Sequence, residues 1–155
     1  MSCARFATRA RDGASILGSV KDESTTPTIL VADDSAGQRA VVDMLLTVDG
    51  YRVVTVGDGR EALDWLSKNT PQLAVLDVRM PHLDGIEICR RIKKVSRLHT
   101  VPVIVLTGMR DEATTVAAKA AGADAVVLKP LEGKDFRSTV RALVDRAAAP
   151  RPSAS

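Results

Sequence analysis

Five short aliphatic runs recur along the chain with stretches of helical spacing between them: TILVAD at 28–33, YRVVTV at 51–56, LAVLDV at 73–78, VPVIVLT at 101–107 and DAVVLKP at 124–130. A strand followed by a helix pairs most readily in parallel with the next strand, because the chain must cross over between them. A run that is apolar on both faces then needs a helix layer on each side. The alternation within residues 28–148 therefore predicts an α/β domain, a doubly wound five-stranded parallel sheet of (βα)5 form. Val41, Met44, Leu45 and Val48, then Ile88, Cys89, Ile92 and Val95, then Phe136, Val140, Leu143 and Val144 follow a helical period and are assigned to the faces that cover the sheet. Asp58 with Glu61 and Asp84 with Glu87 have capping-box spacing, and Gly122 in AAGAD fits a helix stop.

Outside this frame, residues 1–27 and 149–155 show no sustained period and are expected to be a flexible N-terminal extension and a flexible tail. Arg5, Arg9 and Arg11 among Ala and Ser give the extension a composition shared with transit peptides, though the match is short. With 155 residues, 45% of them hydrophobic, the chain suits one compact domain. Aromatic residues make up only 3%, which disfavours a base-stacking nucleic-acid surface, and the basic cluster RRIKKVSR at 90–97 reads as a solvated helix end. Cys3 and Cys89 define no disulfide, no Cys/His spacing matches a zinc site, and His82 and His99 lack partners at ligand spacing. No apolar run approaches the roughly 20 residues of a membrane span, so a cytoplasmic location is expected.

Open parallel sheets bind ligands at the carboxyl ends of their strands. Four of the five runs deliver Asp33 and Asp34, Asp77, Thr107 and Gly108, and Lys129 and Pro130 to those ends. Three carboxylates on one rim repel one another unless a hard cation sits among them. A divalent cation would leave one carboxylate free as a nucleophile, while an ammonium and a hydroxyl neutralise phosphoryl oxygens. Singly, each residue has a plainer role: Asp33 or Asp34 as a helix cap, Asp77 as a turn cap, Thr107 as a turn hydroxyl, Lys129 as a solvated charge. Their coincidence at four strand ends is what points to phosphoryl chemistry.

The segments ADD at 32–34, LDVRMP at 76–81, TG at 107–108 and KP at 129–130 resemble the response regulator receiver domain of two-component signal transduction, over residues 28 to about 148. The resemblance implies a flavodoxin-like, chemotaxis-regulator-like fold with strand order 2-1-3-4-5. It further implies that Asp77 is the phosphoacceptor and that Mg²⁺ is held by Asp33, Asp34, Asp77 and the backbone carbonyl of Arg79. Thr107 would contact the phosphoryl group and move toward it, Lys129 would pair with it, and Pro130 would follow a cis bond. The implied partner is a histidine kinase or phosphotransfer protein, with phosphorylation switching partner binding or relaying phosphate. Neither nucleic acid nor membrane is expected as a direct partner, and the chain is not expected to be an enzyme with a substrate pool.

The sequence also departs from this pattern. Many receivers carry an aromatic residue three places before the site lysine, where this chain has Val126, so an aromatic toggle coupled to Thr107 is unavailable. Arg79 and Gly108 occupy variable places from which a side chain can govern water access to an acyl phosphate. The family's usual partner face is formed by the fourth helix, fifth strand and fifth helix, and TTVAAKAA in the fourth helix is small and bland. The leading expectation is a single-domain regulator, with a receiver fragment of a longer hybrid kinase and a phosphorylation-independent interaction module as alternatives. An aspartyl-phosphate hydrolase resembling the haloacid-dehalogenase phosphatases is disfavoured, because those enzymes place a second acid where Arg79 stands.

Overall fold

Each aliphatic run becomes a strand and each amphipathic stretch a helix in a computed structural model that describes residues 26–108 and 112–148. The strands are β1 (Thr28–Ala32), β2 (Arg52–Val56), β3 (Leu73–Asp77), β4 (Val103–Thr107) and β5 (Ala125–Leu128). Between and after them come α1 (Ala36–Val48), α2 (Gly59–Lys68), α3 (Gly85–Lys94), α4 (Glu112–Ala120) and α5 (Gly133–Ala148). The expected flexible extension and tail lie almost wholly outside the described residues. All four strand pairs are parallel, in the order β2-β1-β3-β4-β5. Among the described residues, no helix is long and apolar enough to cross a membrane.

Alternation within the strands divides the core in two. Ile29, Val31, Leu73, Val75, Ile104 and Leu106 face α1 and α5, where Val42, Leu46, Phe136 and Val140 complete one cluster. Leu30, Ala32, Ala74, Leu76, Val103 and Val105 face the other way, toward Ala62 and Leu66 of α2, Ile88, Cys89 and Ile92 of α3, and Ala118 of α4. The central strands β3 and β4 are buried along their whole length, as a sheet covered on both faces requires.

Local signals position the helices that border the strand ends. Asp58 and Asp84 each accept the backbone N–H three residues on, at 2.8 Å, as their spacing predicted. The reciprocal half of the capping box does not form. The Glu61 carboxylate accepts instead from Gly57 N–H at 2.6 Å, and Glu87 pairs with Arg90 and Arg91. Gly122 ends α4 with φ of +105°, a conformation glycine adopts without strain.

One assignment is corrected. The face of α1 expected to cover the sheet included Val41, Met44 and Val48, yet these are 45%, 58% and 70% exposed, while Val42 and Leu46 are the buried pair. Helix α1 carries apolar residues on two adjoining stripes, and docking against α5 and the sheet selects the stripe one residue removed. Val95, placed in the buried face of α3, is likewise 42% exposed and serves as that helix's C-cap.

Candidate functional site

The rim at the carboxyl ends of β1, β3, β4 and β5 gathers the residues that the sequence singled out. Asp33 follows β1 and is fully buried; its N–H donates to Val56 O at 3.1 Å, and its carboxylate accepts from Ser35 N–H at 2.9 Å. Ser35, not either aspartate, is the N-cap of α1, accepting from Gln38 N–H. This frees the carboxylates of Asp33 and Asp34 from the capping role that each alone would suggest. Asp77 is the last residue of β3 and Thr107 the last of β4, both buried. Lys129 follows β5, with its N–H bonded to Thr107 O at 2.8 Å, and the Lys129–Pro130 peptide is cis.

Carboxylate oxygens of Asp33, Asp34 and Asp77 lie within 4.8 Å of one another, a spacing that a single hard cation can bridge. Lys129 Nζ enters the same space, 3.0 Å from Asp77 and 3.3 Å from Asp33. Three carboxylates face one ammonium here, so negative groups outnumber positive ones at the rim. The field of the site therefore favours a dication or the positive centre of a phosphoryl donor held by one. Burial raises the Asp77 carboxyl above its ordinary range; the hydrogen bond from Lys129 opposes this, and the nearby charge of Asp33 adds to it. For Lys129, burial disfavours the charge, but the bond to Asp77 and the two carboxylate charges outweigh it and raise the ammonium's pKa. Lysine is thus held as a cation beside an acid that resists ionising without compensation.

The remaining sequence candidates surround this centre. Gly108 is exposed beside Thr107, and a Cβ there would meet nothing within 4 Å. Arg79 is exposed on the loop after β3, two residues past Asp77. Val126 pairs in register with Val105 and packs, half-buried, on the side of the sheet that carries α4, where many receivers hold their aromatic ring. His82, to which no chemistry was assigned, adopts φ of +74° within the same loop.

Two contributors escaped the sequence reading. Gly85 opens α3 directly beneath the acceptor: a Cβ at this position would stand 2.3 Å from Asp77 O. Arg39, on the first turns of α1, donates from Nη1 to Asp33 O at 2.7 Å. Glycine one residue after a capping aspartate was a visible hint for the first. Nothing in the spacing marks Arg39, since its partner is a backbone atom six residues back.

Comparison with known proteins agrees with this geometry. The family model for the response regulator receiver domain matches residues 29–141. A probable transcriptional regulator ycf27 from Guillardia theta is 38% identical over 125 residues, 81% of this chain and 48% of that protein. The transcriptional regulatory protein AfsQ1 of Streptomyces coelicolor is 37% identical over 77% of this chain and 52% of its own length. The chain thus spans about half the length of the curated relatives it matches. Among solved structures, the signal receiver domain of a signal transduction histidine kinase from Syntrophus aciditrophicus superposes with a TM-score of 0.76 at 34% identity, covering 81% of this chain and 96% of that one. The receiver domain of a sensor histidine kinase from Pseudomonas aeruginosa, with a magnesium ion coordinated in its active-site cleft, gives 0.72 at 25% identity over 78% and 99%. With its strand order, its acidic rim and this match over most of its length, the chain belongs to the response regulator receiver domain family.

Proposed function

We propose that residues 28–148 act as a phosphorylation switch in which Asp77 accepts a phosphoryl group from a histidine kinase or phosphotransfer protein. The observation that carries this reading is the convergence of three carboxylates and Lys129 at the ends of strands that are otherwise almost entirely apolar. Nothing in the packing of β1 or β3 needs a buried charge, and burying one without purpose costs stability.

The donor set fits Mg²⁺: Asp33, Asp34 and Asp77 offer oxygen ligands, and the family resemblance adds the Arg79 carbonyl. When bound, the ion supplies the positive charge that lets a carboxylate approach an anionic phosphoryl group. One Asp77 oxygen attacks phosphorus, the bond from phosphorus to the donor breaks, and the donor's leaving group departs with the electron pair. Lys129, within 3.0 Å of Asp77 Oδ1, is positioned to exchange that carboxylate for a phosphoryl oxygen. Thr107 then offers its hydroxyl from the neighbouring strand end.

With Val126 in the place of an aromatic ring, the switch works without a ring rotation, through the shift of Thr107 toward the phosphoryl group. The phosphorylated domain acts by altering partner binding or by passing the phosphoryl group on. The exposed stripe of Val41, Met44 and Val48 on α1, the helix that begins next to Asp34, supports α1 as the docking surface for the phosphodonor. The reading is tested by intact mass after incubation with acetyl phosphate and Mg²⁺. One phosphoryl adduct that is lost with EDTA is expected. Folded protein that takes up no phosphoryl group from acetyl phosphate or from a panel of phosphorylated histidine kinases would overturn it.

A further inference from the structure

Arg39 stands apart from the residues that the reading above employs, yet it is part-buried and bonded to the acidic loop. Its Nη1 donates to Asp33 O at 2.7 Å, while Asp33 N–H is fixed to Val56 O at 3.1 Å and the Asp33 carboxylate to Ser35 N–H at 2.9 Å. The backbone N–H, carbonyl and carboxylate of Asp33 are thus held by three different residues: Val56 at the end of β2, Arg39 in α1 and Ser35 at the α1 cap. The same Nη1 also lies against Gly57, where a Cβ would be only 3.3 Å from it, and Gly57 N–H is in turn bound by Glu61 at 2.6 Å. Arg39 therefore fills the seam between the loops after β1 and β2.

We infer that Arg39 is a positioning residue for metal binding: its guanidinium clamps the Asp33 backbone so that the Asp33 and Asp34 carboxylates are aimed at the cation before it arrives. This rests on the proposed metal site. The clamp matters because the loop carries two of the three carboxylates, whose mutual repulsion acts to spread them while the cation is absent. Preorganised ligands bind without a reorganisation cost, and loss of the groups that orient metal ligands typically weakens affinity by about 10- to 100-fold. The guanidinium also has an opposite effect, since a nearby positive charge repels Mg²⁺. The two effects have opposite signs, so one substitution decides between them.

Arg39→Met keeps the apolar stem and removes the guanidinium, and Arg39→Lys keeps a charged donor. Calorimetric titration of each protein with Mg²⁺, with urea unfolding in EDTA to confirm a folded state, reads the effect directly. Arg39→Met is expected to bind Mg²⁺ about 10-fold more weakly, with Arg39→Lys between it and the parent, and amide exchange at Asp34 and Ser35 is expected to quicken in metal-free Arg39→Met. At saturating Mg²⁺, acetyl phosphate labelling recovers toward the parent rate. Equal or tighter Mg²⁺ binding by Arg39→Met overturns the clamp and leaves Arg39 without a positioning role. Failure of the parent protein itself to bind Mg²⁺ would instead overturn the site reading, so the two failures are distinguishable.

Discussion

Replacing Gly85 with alanine adds one methyl group at the point where α3 passes beneath the acceptor strand. An ideal Cβ there falls 2.3 Å from Asp77 O, 2.9 Å from Asp77 C and 3.1 Å from the Leu76 Cβ. Real Cβ atoms essentially never approach within 3.0 Å, so the helix and the strand end must separate by at least 3.0 − 2.3 = 0.7 Å. The obstacle is backbone, which cannot swing aside as a side chain would. Gly85 N–H also donates to Val78 O at 3.1 Å, so the displacement is carried into the residue after Asp77. Overpacking of this kind costs about 1–3 kcal/mol. A backbone obstacle puts the cost at the upper end of that range, about 3 kcal/mol, and alanine's advantage as a helix former, at most about 1 kcal/mol, leaves a net loss of about 2 kcal/mol. A shift of 0.7 Å exceeds the roughly 0.5 Å within which reacting groups must be held, and phosphorylation should slow by about 10- to 100-fold. Urea unfolding and the rate of acetyl phosphate labelling by intact mass measure the two effects. Gly108→Ala, where a Cβ meets nothing within 4 Å among the described residues, serves as control and should unfold at the parent midpoint. Parent-like stability and labelling in Gly85→Ala would refute the steric argument.

Because folding raises the Asp77 carboxyl, chiefly by burial, the folded protein keeps a proton that the unfolded chain has already lost; ionising Asp77 therefore removes stability as pH rises from about 3.8 through the raised value. In EDTA the stability advantage of Asp77→Asn over the parent should grow over that window and then level off, and an advantage independent of pH from 4 to 8 would contradict the assignment. Burial lifts the Cys89 thiol from an ordinary 9.0 to about 11, which cuts its thiolate fraction about a hundredfold. In a Cys3→Ser background, Ellman's reagent at pH 8 should label the native protein at least that much more slowly than the unfolded chain, and equal rates would show that Cys89 is accessible. Met44→Glu places a charge in the exposed α1 stripe; labelling by a phosphorylated kinase should fall about 10-fold while labelling by acetyl phosphate stays unchanged, and equal loss of both would place the defect in the site.

How far the chain could be read in advance differs between its layers. The sheet was legible because apolar runs of strand length separated by helical spacing admit few arrangements, and the four functional strand ends were legible because each lies at the end of such a run. Which face of α1 is buried was not, since Val41, Met44 and Val48 are as periodic as Val42 and Leu46, and only packing against α5 separates them. Ser35 took the cap that Asp33 or Asp34 could have filled because the Asp33 carboxylate turns back to the Ser35 N–H. Arg39 lay beyond sequence reasoning because it acts on a backbone carbonyl, an atom that every residue has and no residue type announces, whereas the glycine after the capping Asp84 hinted at a close approach without naming the Asp77 carbonyl that Gly85 passes.

The claim on which the rest depends is that Asp77 carries the phosphoryl group as an acyl phosphate. Borohydride reduces such a mixed anhydride to homoserine at the residue that bore it, so peptide mass analysis after labelling with acetyl phosphate and Mg²⁺ identifies the acceptor. The account predicts homoserine at position 77 alone, absent from the EDTA sample and from Asp77→Asn. Homoserine at Asp33 or Asp34 in the parent protein, or a phosphoryl adduct that resists borohydride, would contradict it.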